Sequence, residues 1–226
     1  MAKAEEYKKT ERELFEEEVI ENKEISPGVF LLSVKRRFAF IPGQVVKLAA
    51  DRKEPPRIYS ICSGDTEKEL RILYHVKGSG YLTPRLAGLG KGDQVLVSQP
   101  YGGFRGTSEP AWWIAAGTGI APFYSMFRSG LMENKVLVHG VSYLNQFYFE
   151  EEFTQALGSD YRRCCSRELS DDAYPGRVTG YLNSLDRLPA DRVYYLCGKA
   201  LMVVEVRDLL IEKGIPYENI VAEIYF

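Results

Sequence analysis

The chain has 226 residues, 45% apolar and 27% charged, enough for one large domain or two compact ones, each with its own core. Twenty-nine Lys and Arg against 31 Asp and Glu leave a net charge of −2, which excludes the basic excess that binding DNA or RNA demands. Ordinary proportions of Gly and Pro exclude collagenous and low-complexity classes.

In chain order, the highly charged residues 1–14 read as a tail or a partner contact, with no apolar run of the kind that marks a secretory signal. Six short strands follow, over residues 17–24, 29–34, 44–48, 57–62, 70–76 and 94–97, separated by turn signals such as Pro27-Gly28 and Pro42-Gly43. Such a run predicts an antiparallel barrel within residues 1–107. Between the last two strands, Thr83-Pro84 reads as an N-cap and first residue opening a helix. Gly, Thr, Ser and Pro cluster over residues 104–110, marking a domain boundary. Beyond it the rhythm changes: strand candidates at 112–116, 136–141, 161–166, 193–197 and 220–224 alternate with helix-length segments, the clearest at 201–213 before Gly214 and Pro216. This alternation predicts a doubly wound α/β domain with a five-stranded parallel sheet over residues 108–226.

Cys62, Cys164, Cys165 and Cys197 match neither a CxxC pair nor an iron–sulfur spacing, so they read as free thiols in a cytoplasmic protein. The longest uncharged stretch, residues 110–127, is interrupted by Gly117, Thr118, Gly119, Pro122 and Ser125 and suits a buried strand and turn rather than a membrane span. His75 and His139, the two histidines, stand on strand patterns and read as structural, and no metal site is expected.

Several segments carry chemistry. Arg57-Ile58-Tyr59-Ser60 puts a cation and a ring on one strand face with a hydroxyl at the end, either an ordinary strand or a set suited to a flavin nucleotide. Gly78-Ser79-Gly80 leading to Thr83 is either a capped βα turn or a pyrophosphate cradle. Gly117-Thr118-Gly119-Ile120-Ala121-Pro122 follows the first strand of the second half, where doubly wound sheets bind ligands, although Pro122 replaces the third glycine of the dinucleotide fingerprint. Cys197-Gly198 ends a later strand, as a core cysteine or as a place where a planar ring approaches the backbone. Arg167 and Arg177 are either a clamp for a ribose 2′-phosphate or solvated loop charges. Lys35, Arg36, Arg37, Arg52 and Lys53 form either a solvated hairpin or a dock for an acidic carrier protein.

Taken together, Arg-x-Tyr-Ser, Gly-x-Leu-Thr, Gly-Thr-Gly-Ile-Ala-Pro, Ser-Arg-Glu, Cys-Gly and a terminal aromatic pair resemble, over residues 15–226, the ferredoxin-NADP reductase family, especially its bacterial ferredoxin/flavodoxin members. That resemblance implies an FAD-binding barrel, an NADP-binding α/β domain and electron transfer between NADP(H) and ferredoxin or flavodoxin. It implies FAD contacts from Arg57, Ile58, Tyr59, Ser60, Tyr74, His75, Val76, Gly80, Tyr81, Leu82, Thr83, Thr118, Tyr225 and Phe226. For NADP it implies Gly117, Thr118, Gly119, Ser142, Ser166, Arg167, Arg177, Cys197, Gly198 and Met202. Ser60, Cys197, Glu223 and Tyr225 are the catalytic residues so implied, with Tyr225 covering the flavin until nicotinamide displaces it.

One departure is Ser142, which stands where the bacterial members carry Arg and which softens discrimination against NADH. The alternative activities are an NAD(P)H-dependent reductase of free flavin, an oxygenase or ferric chelates, or a non-catalytic flavoprotein subunit serving as an interaction module.

Overall fold

A computed structural model of the protein describes residues 13–225. All six expected strands of the first half form: β1 (Leu14–Ser26), β2 (Val29–Lys35), β3 (Val45–Ala49), β4 (Arg57–Ser60), β5 (Glu69–His75) and β6 (Gln94–Ser98). They pair antiparallel in the order β4-β3-β6-β1-β2-β5. The long β1 makes this curvature possible, because Leu14 to Glu18 pair with β6 while Val19 onward pairs with β2 across two register shifts. Between β4 and β5 the ladder shrinks to one bridge, Ile61 with Ile72, so the sheet is barrel-like and open along that seam.

Strand alternation then distributes β5 between two cores. Ile72 and Tyr74 face the barrel interior with Val19, Leu48 and Leu86, whereas Leu73 faces outward with Val29 and Cys62 and joins the hydrophobic core of the second half. The helix α1 (Leu82–Ala87) starts two residues earlier than expected, with Tyr81 as its N-cap. Thr83 is therefore not the cap; its Oγ1 accepts the Lys77 amide at 2.8 Å and closes the glycine turn. Pro84 still lies in the first helical turn, where its missing N–H leaves no bond unmade.

The second half contains β7 (Ala111–Ala116), α2 (Ala121–Arg128), β8 (Lys135–Val141), α3 (Glu150–Leu157), β9 (Tyr161–Cys165), β10 (Tyr174–Pro175), α4 (Val178–Ser184), β11 (Val193–Lys199), α5 (Ala200–Glu212) and β12 (Ile220–Tyr225). The sheet is parallel throughout, in the order β10-β9-β8-β7-β11-β12. It has six strands rather than the expected five. The addition, β10, is two residues long and shows no periodicity; pairing with Cys164 and Cys165 makes it a strand. Successive residues of β7 feed opposite faces: Trp113 packs with Phe123 and Phe153, Ile114 with Val138, Val206 and Leu210.

The uncharged stretch divides between β7 and α2 as its glycines and proline required, and no helix among the described residues is long and apolar enough to cross a membrane. All four cysteines are free and buried.

The two halves are joined by specific bonds at α2. Ser125 Oγ donates to the Ser63 carbonyl at 2.7 Å, and Ser129 Oγ accepts the Asp65 amide at 3.0 Å. Arg128 reaches Glu67 of the first half at 2.9 Å and Glu152 of α3 at 3.5 Å.

Candidate active site

Sheet order places the site. Chain direction reverses outward from β7, with β8 and β9 laid down on one side and β11 and β12 on the other, so the strand ends at β7 and β11 form the topological switch point where open α/β sheets bind ligands. Here β7 runs into Gly117–Ile120, a single 3-10 turn leading into α2. Gly119 lies so close to β11 that a Cβ would stand 2.2 Å from the Cys197 carbonyl oxygen. Gly117 adopts φ +55°, which favours glycine, and faces open space.

Across this end the structure assembles four residues that are far apart in the chain. Cys197 and Glu223 are register partners on β11 and β12, and Tyr225 lies two residues further along. Ser60, the last residue of β4, meets them from the other half. Tyr225 Oη donates to Ser60 Oγ at 2.7 Å, and Ser60 Oγ donates to Glu223 Oε2 at 2.7 Å. Burial raises the Glu223 carboxyl from 4.5 to about 7, against the opposing pull of the Ser60 hydroxyl. The Cys197 thiol is also pushed well up by burial, with the Glu223 carboxylate adding to it, so Cys197 stays a neutral thiol. The cluster therefore holds a proton-exchanging carboxyl and three neutral polar groups at a point both halves must supply.

Along the neighbouring barrel face, the Arg57 guanidinium is exposed, with its carbon 5.4 Å from the centre of the Tyr81 ring. Tyr81 is itself anchored by donating its hydroxyl to the Pro55 carbonyl. Tyr59 is half-buried, its ring edge-on to Tyr74 at 6.5 Å and its hydroxyl pushed up to about 12 chiefly by burial. Ile58 is 58% exposed. The turn over residues 77–83 presents Gly80 and Thr83, both engaged with Lys77.

Two of the residues expected to contact FAD have buried side chains. Tyr74 is 1% exposed, stacks on Phe30 and donates its hydroxyl to Asn22 Oδ1 at 3.1 Å inside the barrel, and Leu82 is buried there as well. Strand alternation turns Tyr74 inward and the helix α1 buries Leu82, while His75 is exposed and Val76 half-buried. Phe226 lies outside the described residues, as do residues 1–12.

The third group lies beyond β8 and β9. Ser142 follows β8 directly and its carbonyl accepts the Arg167 amide at 3.1 Å. Cys165 and Pro175 are register partners, and two residues past them come Arg167 and Arg177, which places both at one corner of the sheet. Ser166 is exposed beside them. Neither arginine forms an ion pair among the described residues, and Arg57 forms none. Met202 packs over Gly198, its Cε 2.7 Å from where a Cβ would stand.

Tyr143 is not among the residues that the sequence motifs single out. Its hydroxyl accepts from Arg167 Nη1 at 2.9 Å while the guanidinium lies over its ring. Its adjacency to Ser142 was the available signal. By contrast, Arg36 binds the Asp65 carbonyl, Arg37 pairs with Glu17 and Arg52 with Glu16, so three of the five basic residues near the first hairpin are already engaged.

The sequence matches the Oxidoreductase NAD-binding domain family over residues 113–208. It is 30% identical over 188 residues to a flavodoxin/ferredoxin-NADP reductase of Escherichia coli, covering 73% of this chain and 76% of that one. It is 29% identical over 228 residues to the toluate 1,2-dioxygenase electron transfer component of Pseudomonas putida, covering 93% of this chain and 67% of the relative. A solved ferredoxin NADP+ reductase of Neisseria gonorrhoeae, crystallised with FAD and NADP, has the same fold: the TM-score is 0.83 at 21% identity, over 96% of this chain and all of that one.

Proposed function

The chain belongs to the ferredoxin-NADP reductase family of flavoprotein oxidoreductases, and from that premise we propose that it binds FAD on its barrel face and NADP(H) at the end of the parallel sheet, and passes electrons to ferredoxin or flavodoxin. The single observation that carries this reading is the Tyr225–Ser60–Glu223 chain at the junction of the two halves. The residues present suit both cofactors. Arg57, which forms no ion pair among the described residues, lies beside half-buried Tyr59 and Tyr81, as a phosphate and a flat ring require. Gly117 leaves room for a ligand to approach the backbone, and Arg167 and Arg177 supply cations for a 2′-phosphate.

FAD supplies the redox chemistry when bound: it accepts a hydride from the reduced nicotinamide and releases electrons singly. Around it, Arg57 holds the phosphates and Tyr59 offers its ring to the isoalloxazine. Ser60 is oriented by its two hydrogen bonds, with its hydroxyl directed at the Glu223 carboxyl. Glu223, with its carboxyl near neutrality, holds or releases a proton there, and the Tyr225 ring fills the nicotinamide position and excludes water until the dinucleotide arrives. Cys197-Gly198 lines that position. A cytoplasmic setting suits the four unpaired thiols.

A second reading has its own support: the similarity to a dioxygenase electron transfer component spans nearly the whole chain, and Ser142 supplies no charge to a 2′-phosphate. In that reading NADH is the donor and an oxygenase the acceptor. An anaerobic titration of the FAD-loaded protein with NADPH, beside an identical one with NADH, separates them. Flavin bleaching by NADPH well ahead of NADH, followed by reduction of flavodoxin, is the expected result. Equal or preferential bleaching by NADH supports the second reading, and a chain that takes up no FAD overturns both.

A further inference from the structure

His139, the fifth of the seven residues of β8, lies wholly buried beneath the glycine turn. Its Nδ1 is 3.1 Å from the Tyr161 hydroxyl and its Nε2 is 3.4 Å from the Gly117 carbonyl oxygen. Phe147 packs against the ring edge-on, at 5.4 Å between centroids. One tautomer satisfies both contacts: Tyr161 donates to Nδ1, and Nε2 carries the proton that it donates to Gly117. The reverse tautomer would set the Nε2 lone pair against a carbonyl oxygen. Burial depresses the imidazole from 6.5 to about 4, which keeps it neutral as this arrangement requires.

The consequence lies on the other side of the peptide plane. A trans peptide points its C=O and the following N–H in opposite directions. Once the Gly117 carbonyl is tied inward to His139, the Thr118 amide is turned away from His139. Gly117 at φ +55° has no side chain to hold that orientation, and the brace supplies what the glycine lacks.

We propose that His139, set by Tyr161, is a positioning residue for pyridine nucleotide binding: it fixes the Gly117 peptide so that the Thr118 amide is preorganised for the dinucleotide. This rests on the reading that the nucleotide binds at this turn. On the flanking strands its register partners are Ala115 and Arg163, and its ring nitrogens contact Tyr161 and Gly117.

The test uses FAD-loaded protein and calorimetric titration with NADP+ and NAD+, with steady-state kinetics and thermal unfolding alongside. His139→Gln places an amide near the Nε2 position and can still donate to Gly117; His139→Asn is too short to do so; His139→Phe keeps the ring and loses both bonds. The expected result is a dissociation constant raised about tenfold or more in the Phe and Asn variants and largely restored in the Gln variant, with KM following it, kcat within about twofold and FAD retained. If His139→Phe does not fold, the contrast between Asn and Gln decides. Wild-type affinity in the Asn variant, or equal losses in Asn and Gln, overturns the inference while leaving the nucleotide site intact. A wild-type protein that binds neither nucleotide overturns the site and the inference together.

Discussion

The junction cluster and the arginine corner solve opposite problems at the same end of one sheet. Ser60, Glu223, Tyr225 and Cys197 are withdrawn from solvent and bonded to one another across two halves of the chain. Arg167 sits exposed at the corner, held lightly by the ring and hydroxyl of Tyr143. Burial gives the first group its chemistry, because desolvation moves a carboxyl to near neutrality and a directed hydroxyl has no water to compete with it. Exposure gives the second group its tolerance. Charges in water contribute modestly one at a time, so on the proposed reading nucleotide choice can drift there without disturbing the junction cluster.

The largest test of that contrast is Ser60→Ala. It removes the link between Tyr225 and Glu223 and leaves a buried carboxylate without its donor, so hydride transfer from NADPH should slow by about tenfold to a hundredfold, on the order of 1.5–3 kcal/mol, with FAD still bound. Stopped-flow bleaching of the flavin measures it; an unchanged rate would show that the hydroxyl bonds matter for assembly alone. A smaller effect is expected at the corner. Arg167→Ala should lower the preference for NADPH over NADH by about tenfold, roughly 1.4 kcal/mol, and leave the bleaching rate at saturation unaltered, while Ser142→Arg should move the preference the other way. A fall in the saturated rate would erase the distinction between the two regions.

A separate effect is on stability. Glu223 binds its proton more tightly in the folded chain, at about 7 against an ordinary 4.5, so its contribution is greatest below 4.5 and declines as pH rises toward 7. Denaturant unfolding across that window should show a downward slope that Glu223→Gln flattens; parallel curves for the two proteins would place the carboxyl in a wetter setting than its burial indicates.

Much of this molecule was legible in the chain. The first six strands and the five longer strands of the second half stand within a few residues of their expected limits, since alternation, β-branched runs and Gly or Pro punctuation are local signals. The helix α5 was equally clear, ended by Gly214 at φ +86°. Less legible was which way a given side chain faces: Tyr74 reads like Tyr59 in the sequence, yet one fills the barrel and the other borders its face.

What the sequence determined by itself was the two-part architecture and the residue types of the site, because periodicity and turn chemistry act over a few neighbours. Only the tertiary structure decided the open seam between β4 and β5, the existence of β10, the meeting of Ser60 with Glu223 163 positions away, and the seating of His139 under Gly117. Each depends on long-range pairing, where burial and a partner's geometry outweigh any preference the residue carries alone.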